Sequence, residues 1–174
     1  MTLRSISLFL IVLLGIARAT AEPVTRREVL AAIAVLEKDV TSAEALKAAE
    51  TVTRFGKESE TVLITIGTET MPWVQLDAPE NEAPVRALLM AAYFAGDIKS
   101  QLKERRPADD PYSGWLATIT AYRQIRIKQP AIVIPEVEEL IKKEQAGTLK
   151  QEAEDLLRQQ EEENRREQQP ANMV

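Results

Sequence analysis

Between Pro84 and Ala95 the chain reads PVRALLMAAYFA, and Arg86 is its only charge. A helix built from these residues is apolar almost all round, so other elements must enclose it. A second apolar stretch, Trp115–Ile127, places Trp115, Ile119, Tyr122 and Ile125 at helical spacing and ends before Pro130. The two together predict an all-α fold with these helices at its centre. The expected architecture is a single domain of six to eight helices packed as antiparallel hairpins.

The remaining segments read as helices with identifiable ends. Thr25–Glu28 has the form of a capping box, and Val29, Leu30, Ile33, Leu36 and Val40 then recur on one face. Thr41–Glu44 has the same form, so a second helix is expected to start there, with Ala45, Ala48, Ala49, Val52 and Phe55 on one side. Gly56 lies where its C-terminus is expected. Residues 59–69 (SETVLITIGTE) alternate and are rich in β-branched residues, as in a strand. A lone strand leaves its backbone groups unpaired, and no partner strand of similar quality exists. The segment is therefore expected to be helical, with Ser59 as N-cap. Pro84 suits a first helical turn, and Gly96 is expected to stop that helix, with Asp97 capping a short one to about Arg105. Asp110 before Pro111 and the helix from Pro135 to Gly147 follow the same rules. Thr148–Gln151 is a third capping box before a charged final helix.

The N-terminus reads differently. Arg4 precedes an apolar run, Ile6–Ile16, and Ala17–Ala21 offers two small-residue cleavage sites. That is the form of a secretory signal peptide, expected to be removed after Ala21 or Ala19. The run is shorter than the roughly 20 residues of a membrane span. The expected organisation is a cleaved signal peptide (1–21), a helical domain (22–146), and a charged C-terminal helix with a disordered tail (147–174). No stable membrane anchor is expected after cleavage. Export to a bacterial periplasm, or secretion, follows from that reading.

The net charge is −5 at pH 7, and cleavage removes Arg4 and Arg18, which makes the balance more acidic. Nucleic acid is not an expected partner, because binding it needs a basic surface. The chain has no cysteine and no histidine. It therefore has no Ser-His-Asp or Cys-His arrangement, and no thiolate or imidazole for zinc, copper or haem. No metal and no cofactor is expected.

Two pieces resemble tetratricopeptide repeats, the helix-turn-helix units that stack into scaffolds. Residues 89–97 (LMAAYFAGD) are similar to the end of such a unit's first helix with its glycine turn. Within residues 117–130, Tyr122 is followed by Pro130 at the spacing of the aromatic and closing proline in the second helix. The resemblance implies helical-hairpin packing and a peptide- or protein-binding role.

Several residues invite a chemical reading. Trp73 and Trp115 suit either a stacking platform or the core, with Trp115 on an apolar face. Arg123 and Arg126 suit either a ligand carboxylate or the end of their own helix. Asp109-Asp110 and Glu161–Glu163 are acidic clusters; glycoside hydrolysis needs two carboxyls facing across one bond, and adjacency does not supply that. Both clusters are expected to be solvated surface. No residue is assigned as catalytic, and no binding residue is identified. The expected function is a non-catalytic, exported helical module for protein or peptide partners, monomeric rather than dimeric. The alternative is a carboxylate-dependent enzyme acting on cell-envelope glycans.

Overall fold

The computed structural model describes residues 22–74 and 79–167. The expected signal peptide and the expected disordered tail from residue 168 lie outside them. Among the described residues six helices pack into one domain: α1 (Arg26–Lys38), α2 (Ala45–Glu58), α3 (Ala83–Glu104), α4 (Pro111–Lys128), α5 (Pro135–Ala146) and α6 (Leu149–Glu167). No strand occurs among the described residues.

The apolar stretch at Pro84 opens α3, which touches α1, α2 and α4. Its most extensive contact is with α4. Thr118 Oγ1 reaches the Leu89 carbonyl (3.5 Å), and Gly96 lies against Ser113, so the pair runs antiparallel. Leu89, Tyr93, Phe94 and Ile98 are buried. The enclosure is incomplete: Ala87 is exposed and Leu88 half-buried, on the face towards α2.

Gly96 does not stop the helix. It lies in the middle of α3, where a Cβ would stand 2.3 Å from the Ser113 carbonyl oxygen. The missing side chain lets two helix backbones meet; its low helix propensity costs about 1 kcal/mol, which a buried helix interior absorbs. Asp97 is consequently no cap, and residues 97–104 continue α3. The tetratricopeptide-like turn at residues 89–97 is therefore absent. α3 ends instead at Arg105, in the left-handed conformation (φ 55°).

Other helix ends follow local chemistry. The Thr25–Glu28 capping box forms, with the Glu28 carboxylate accepting from Thr25 N (2.8 Å). The second box does not. Asp39 captures the Thr41 N–H and O–H (2.9 and 2.5 Å), folding residues 39–44 into turns, and α2 starts after Glu44 without a side-chain cap. Asp110 caps α4 at Ser113 N (3.1 Å) with Pro111 in the first turn. Gly147 (φ 73°) closes α5, and Thr148 N–H reaches the Lys143 carbonyl (3.0 Å), the bond that seals a left-handed helix end. Thr148 also turns its hydroxyl to that carbonyl, and Gln151 reaches forward to Asp155, so the third box does not form. α6 docks on α4 and α5 through buried Leu149, Ala153 and Leu156.

Residues 59–69 are not helical. The run from Val62 to Ile66 has neither helical nor strand pairing, and residues 67–70 form a turn. The physical reason is side-chain pairing, described below.

Candidate functional site

The polar groups of α3 gather where residues 61–70 and the α3–α4 connection meet it. Asp97, Gln101, Thr70 and Thr118 are each 3 % exposed or less. Asp97 and Gln101 are one helical turn apart, and Gln101 Nε2 donates to Asp97 Oδ1 (2.7 Å). The same oxygen accepts from Asp110 N (2.9 Å). Gln101 then serves Leu63 twice. Its Oε1 accepts from Leu63 N (2.9 Å), and its Nε2 donates to the Leu63 carbonyl (2.7 Å). Asp109 Oδ2 accepts from Thr65 N (3.1 Å). The amide of Gln101 and the carboxylate of Asp109 thus stand in for a neighbouring strand, which is how residues 62–66 stay extended without one.

Asp97 Oδ2 and Asp109 Oδ1 are buried oxygens with no other donor. A proton held on Asp97 satisfies both. Burial first, then the hydrogen bond and the charge of Asp109, push the Asp97 carboxyl up to about 8, against the lowering bonds from Gln101 and the Asp110 N–H. Asp110 is shifted the other way. Burial raises it, but hydrogen bonds from Ser100 Oγ (2.5 Å), Ser113 Oγ (2.7 Å) and Ser113 N outweigh that and hold it below the usual carboxylate range. The Tyr93 phenol is buried nearby without a partner and raised by burial and by Asp109, Asp97 and Asp110. It stays neutral.

The acidic pair at 109–110 is therefore not solvated surface: both residues are half-buried and bonded into this cluster. Glu161–Glu163 is exposed, as expected. Chemically, the Asp97 carboxyl is buried and hydrogen-bonded to Asp109, whereas glycoside hydrolysis sets its two carboxyls roughly 5–9.5 Å apart across one bond. Neither residue lines any of the four main grooves. Among the described residues no group of acids is arranged to hold a metal ion, and no helix is long and apolar enough to cross a membrane.

The other candidates have structural partners. Trp115 is core, with Nε1 donating to the Thr70 carbonyl (2.7 Å). Trp73 is fully buried against Tyr93, ring centroids 6.1 Å apart, so it is no surface platform. Arg123 pairs with Glu144 (2.6 Å). Arg126 donates to the carbonyls of Pro130 and Ile132 (2.5 and 2.6 Å), closing the turn into α5. Buried Arg86 ties the Trp73 carbonyl (2.6 Å) to Glu82 (2.8 Å) and Glu136 (3.5 Å).

Sequence reading missed Gln101 and the role of Asp97. A signal existed: both fall in helical phase with Tyr93, on the face that an apolar helix buries. Leu63 and Ile66 carry no such signal in the sequence. They are 56 % and 58 % exposed, beside the surface that Gln101 and Asp109 organise.

Compared with protein-family models, curated proteins and solved structures, the chain gives no match.

Proposed function

We propose that this chain is an exported, non-catalytic helical module that binds another protein or peptide. The observation that carries the reading is the run Val62–Ile66. An all-helical domain devotes Gln101 and Asp109 to holding this apolar segment extended at its surface, where Leu63 and Ile66 face solvent. Exposed apolar side chains on a fixed backbone favour a contact role, because little ordering cost remains at binding. The alternative, a carboxylate enzyme on envelope glycans, would draw on the Asp97–Asp109 pair. That pair's direct contact and burial favour a structural role, so the interaction reading is preferred.

Export rests on the N-terminal apolar run and its small-residue sites. N-terminal sequencing of the exported product is expected to begin at Glu22 or Thr20. The interaction is tested by crosslinking the full precursor's product in the native envelope and purifying it. Recovery of a defined partner is the expected result. Consistent recovery as a lone monomer would count against the reading.

A further inference from the structure

We propose that the outer edge of residues 62–66 takes an extended strand of another polypeptide by β-strand addition. The inference rests on the interaction reading above and names its partner chemistry.

The direction of the backbone follows from Gln101. One side-chain amide meets both the N–H and the C=O of Leu63 (2.9 and 2.7 Å). A residue presents both groups to one side when its backbone is extended, and alternate residues present theirs to the same side. Thr65 obeys this, with its N–H on Asp109 (3.1 Å). Val62, Ile64 and Ile66 therefore point their N–H and C=O groups to the opposite edge. Among the described residues those N–H groups have no hydrogen-bond partner. Unpaired backbone groups are costly away from water; Val62 is buried, Ile64 half-buried and Ile66 exposed, so the edge reaches solvent at Ile64 and Ile66.

The edge is also fixed in place. The Val62 side chain is buried, and Ile64 packs on the core so closely that a Cβ at Gly56 would meet its Cδ1 at 2.8 Å. Proteins blunt open edges with proline, charge or a bulge. Val62–Ile66 contains no proline and no charge. An unguarded, preorganised edge is a template for a peptide strand.

Charge selects the occupant. Glu58 and Glu60 precede the run and Glu69 follows it. Two copies paired antiparallel about Ile64 would bring the Glu60 end of one run towards the Glu69 end of the other, both acids exposed, and like charges repel there. The fitting partner is a different chain: alternating β-branched residues flanked by Lys or Arg.

The probe is a fluorescent synthetic peptide of alternating Thr and Val with two Lys at each end, added to the full chain. Ile66→Pro removes one outer N–H and leaves the Leu63 and Thr65 bonds; Ile66→Thr keeps that N–H. Binding is expected for the wild type and for Ile66→Thr, and about tenfold or more weaker for Ile66→Pro. The peptide is expected to slow amide exchange at Ile64 and Ile66. Undiminished binding by Ile66→Pro, or no binding by the wild type, overturns the inference. So does a wild-type dimer that Ile66→Pro dissolves, which would make the occupant a second copy. A photocrosslinker at Leu46, in the α2–α3 groove that no edge residue lines, separates the two claims. A native partner captured there equally in Ile66→Pro keeps the interaction reading and overturns the edge. Capture neither there nor at Leu63 overturns both.

Discussion

The side chain of Gln101 pairs with both backbone groups of Leu63, a residue 38 positions earlier. One amide on α3 does the work of a missing strand. That single relationship explains why residues 62–66 are extended in a helical domain. It also makes Gln101 the residue whose loss should release the segment.

Gln101→Leu is expected to lower stability by roughly 1–3 kcal/mol, the cost of stranding buried polar groups. Amide exchange at Leu63 should accelerate more than exchange in α5. Uniform acceleration across the domain would show that the segment is not held locally. Denaturant titration with exchange read residue by residue checks this.

Asp97→Asn is expected to change the pH dependence of stability. The folded Asp97 carboxyl titrates near 8, above its ordinary value of 3.8. Folding therefore takes up a proton between those values, and stability falls as pH rises from about 4 to about 8. The slope is at most about 1.4 kcal/mol per pH unit. Asn presents the same acceptor to Gln101 and Asp110 N and donates to Asp109 without a proton to lose. The variant should gain on the wild type across that window and match its trend below about pH 4. Parallel curves in thermal melts from pH 4 to 9 would refute the shared proton.

Gly96→Ala should destabilise the domain by about 1–3 kcal/mol through overpacking, because its Cβ would lie 2.3 Å from the Ser113 carbonyl oxygen and 2.7 Å from Ala117 Cβ. Gly67→Ala meets nothing within 4 Å and serves as the control. It should melt with the wild type. If both melt alike, α3 and α4 are not in close contact at Gly96.

Leu156→Asp should lower the melting temperature modestly, since Leu156 is 9 % exposed at the docked end of α6. Deleting residues 158–174 removes only residues beyond that stripe and should leave the melt nearly unchanged. Light scattering on both chains is expected to give the monomer mass. A dimer that the deletion converts to monomer would make α6 an assembly helix instead.

The helical class, the central place of Pro84–Ala95 and the inward faces of α1 and α4 were legible in sequence, except that Leu30, expected on the α1 face, is exposed (37 %). They rest on apolar periodicity, which local geometry translates directly into a buried face. Pro111, Pro135 and Gly147 marked helix ends because each acts on its own φ angle or its own N–H. Three features were not legible, for one physical reason: each depends on a partner distant in sequence. Gly96 looks like a helix breaker until Ser113 and Ala117 lie against it. The β-branched run at Val62 has no partner strand in the sequence and so reads as a helix, whereas Gln101 and Asp109 supply that pairing from elsewhere. Asp97 looks like a cap until burial and Asp109 leave it holding a proton. Sequence by itself determined which segments coil and which faces turn inward; tertiary structure alone decided where two backbones could touch and which side chains replace a strand.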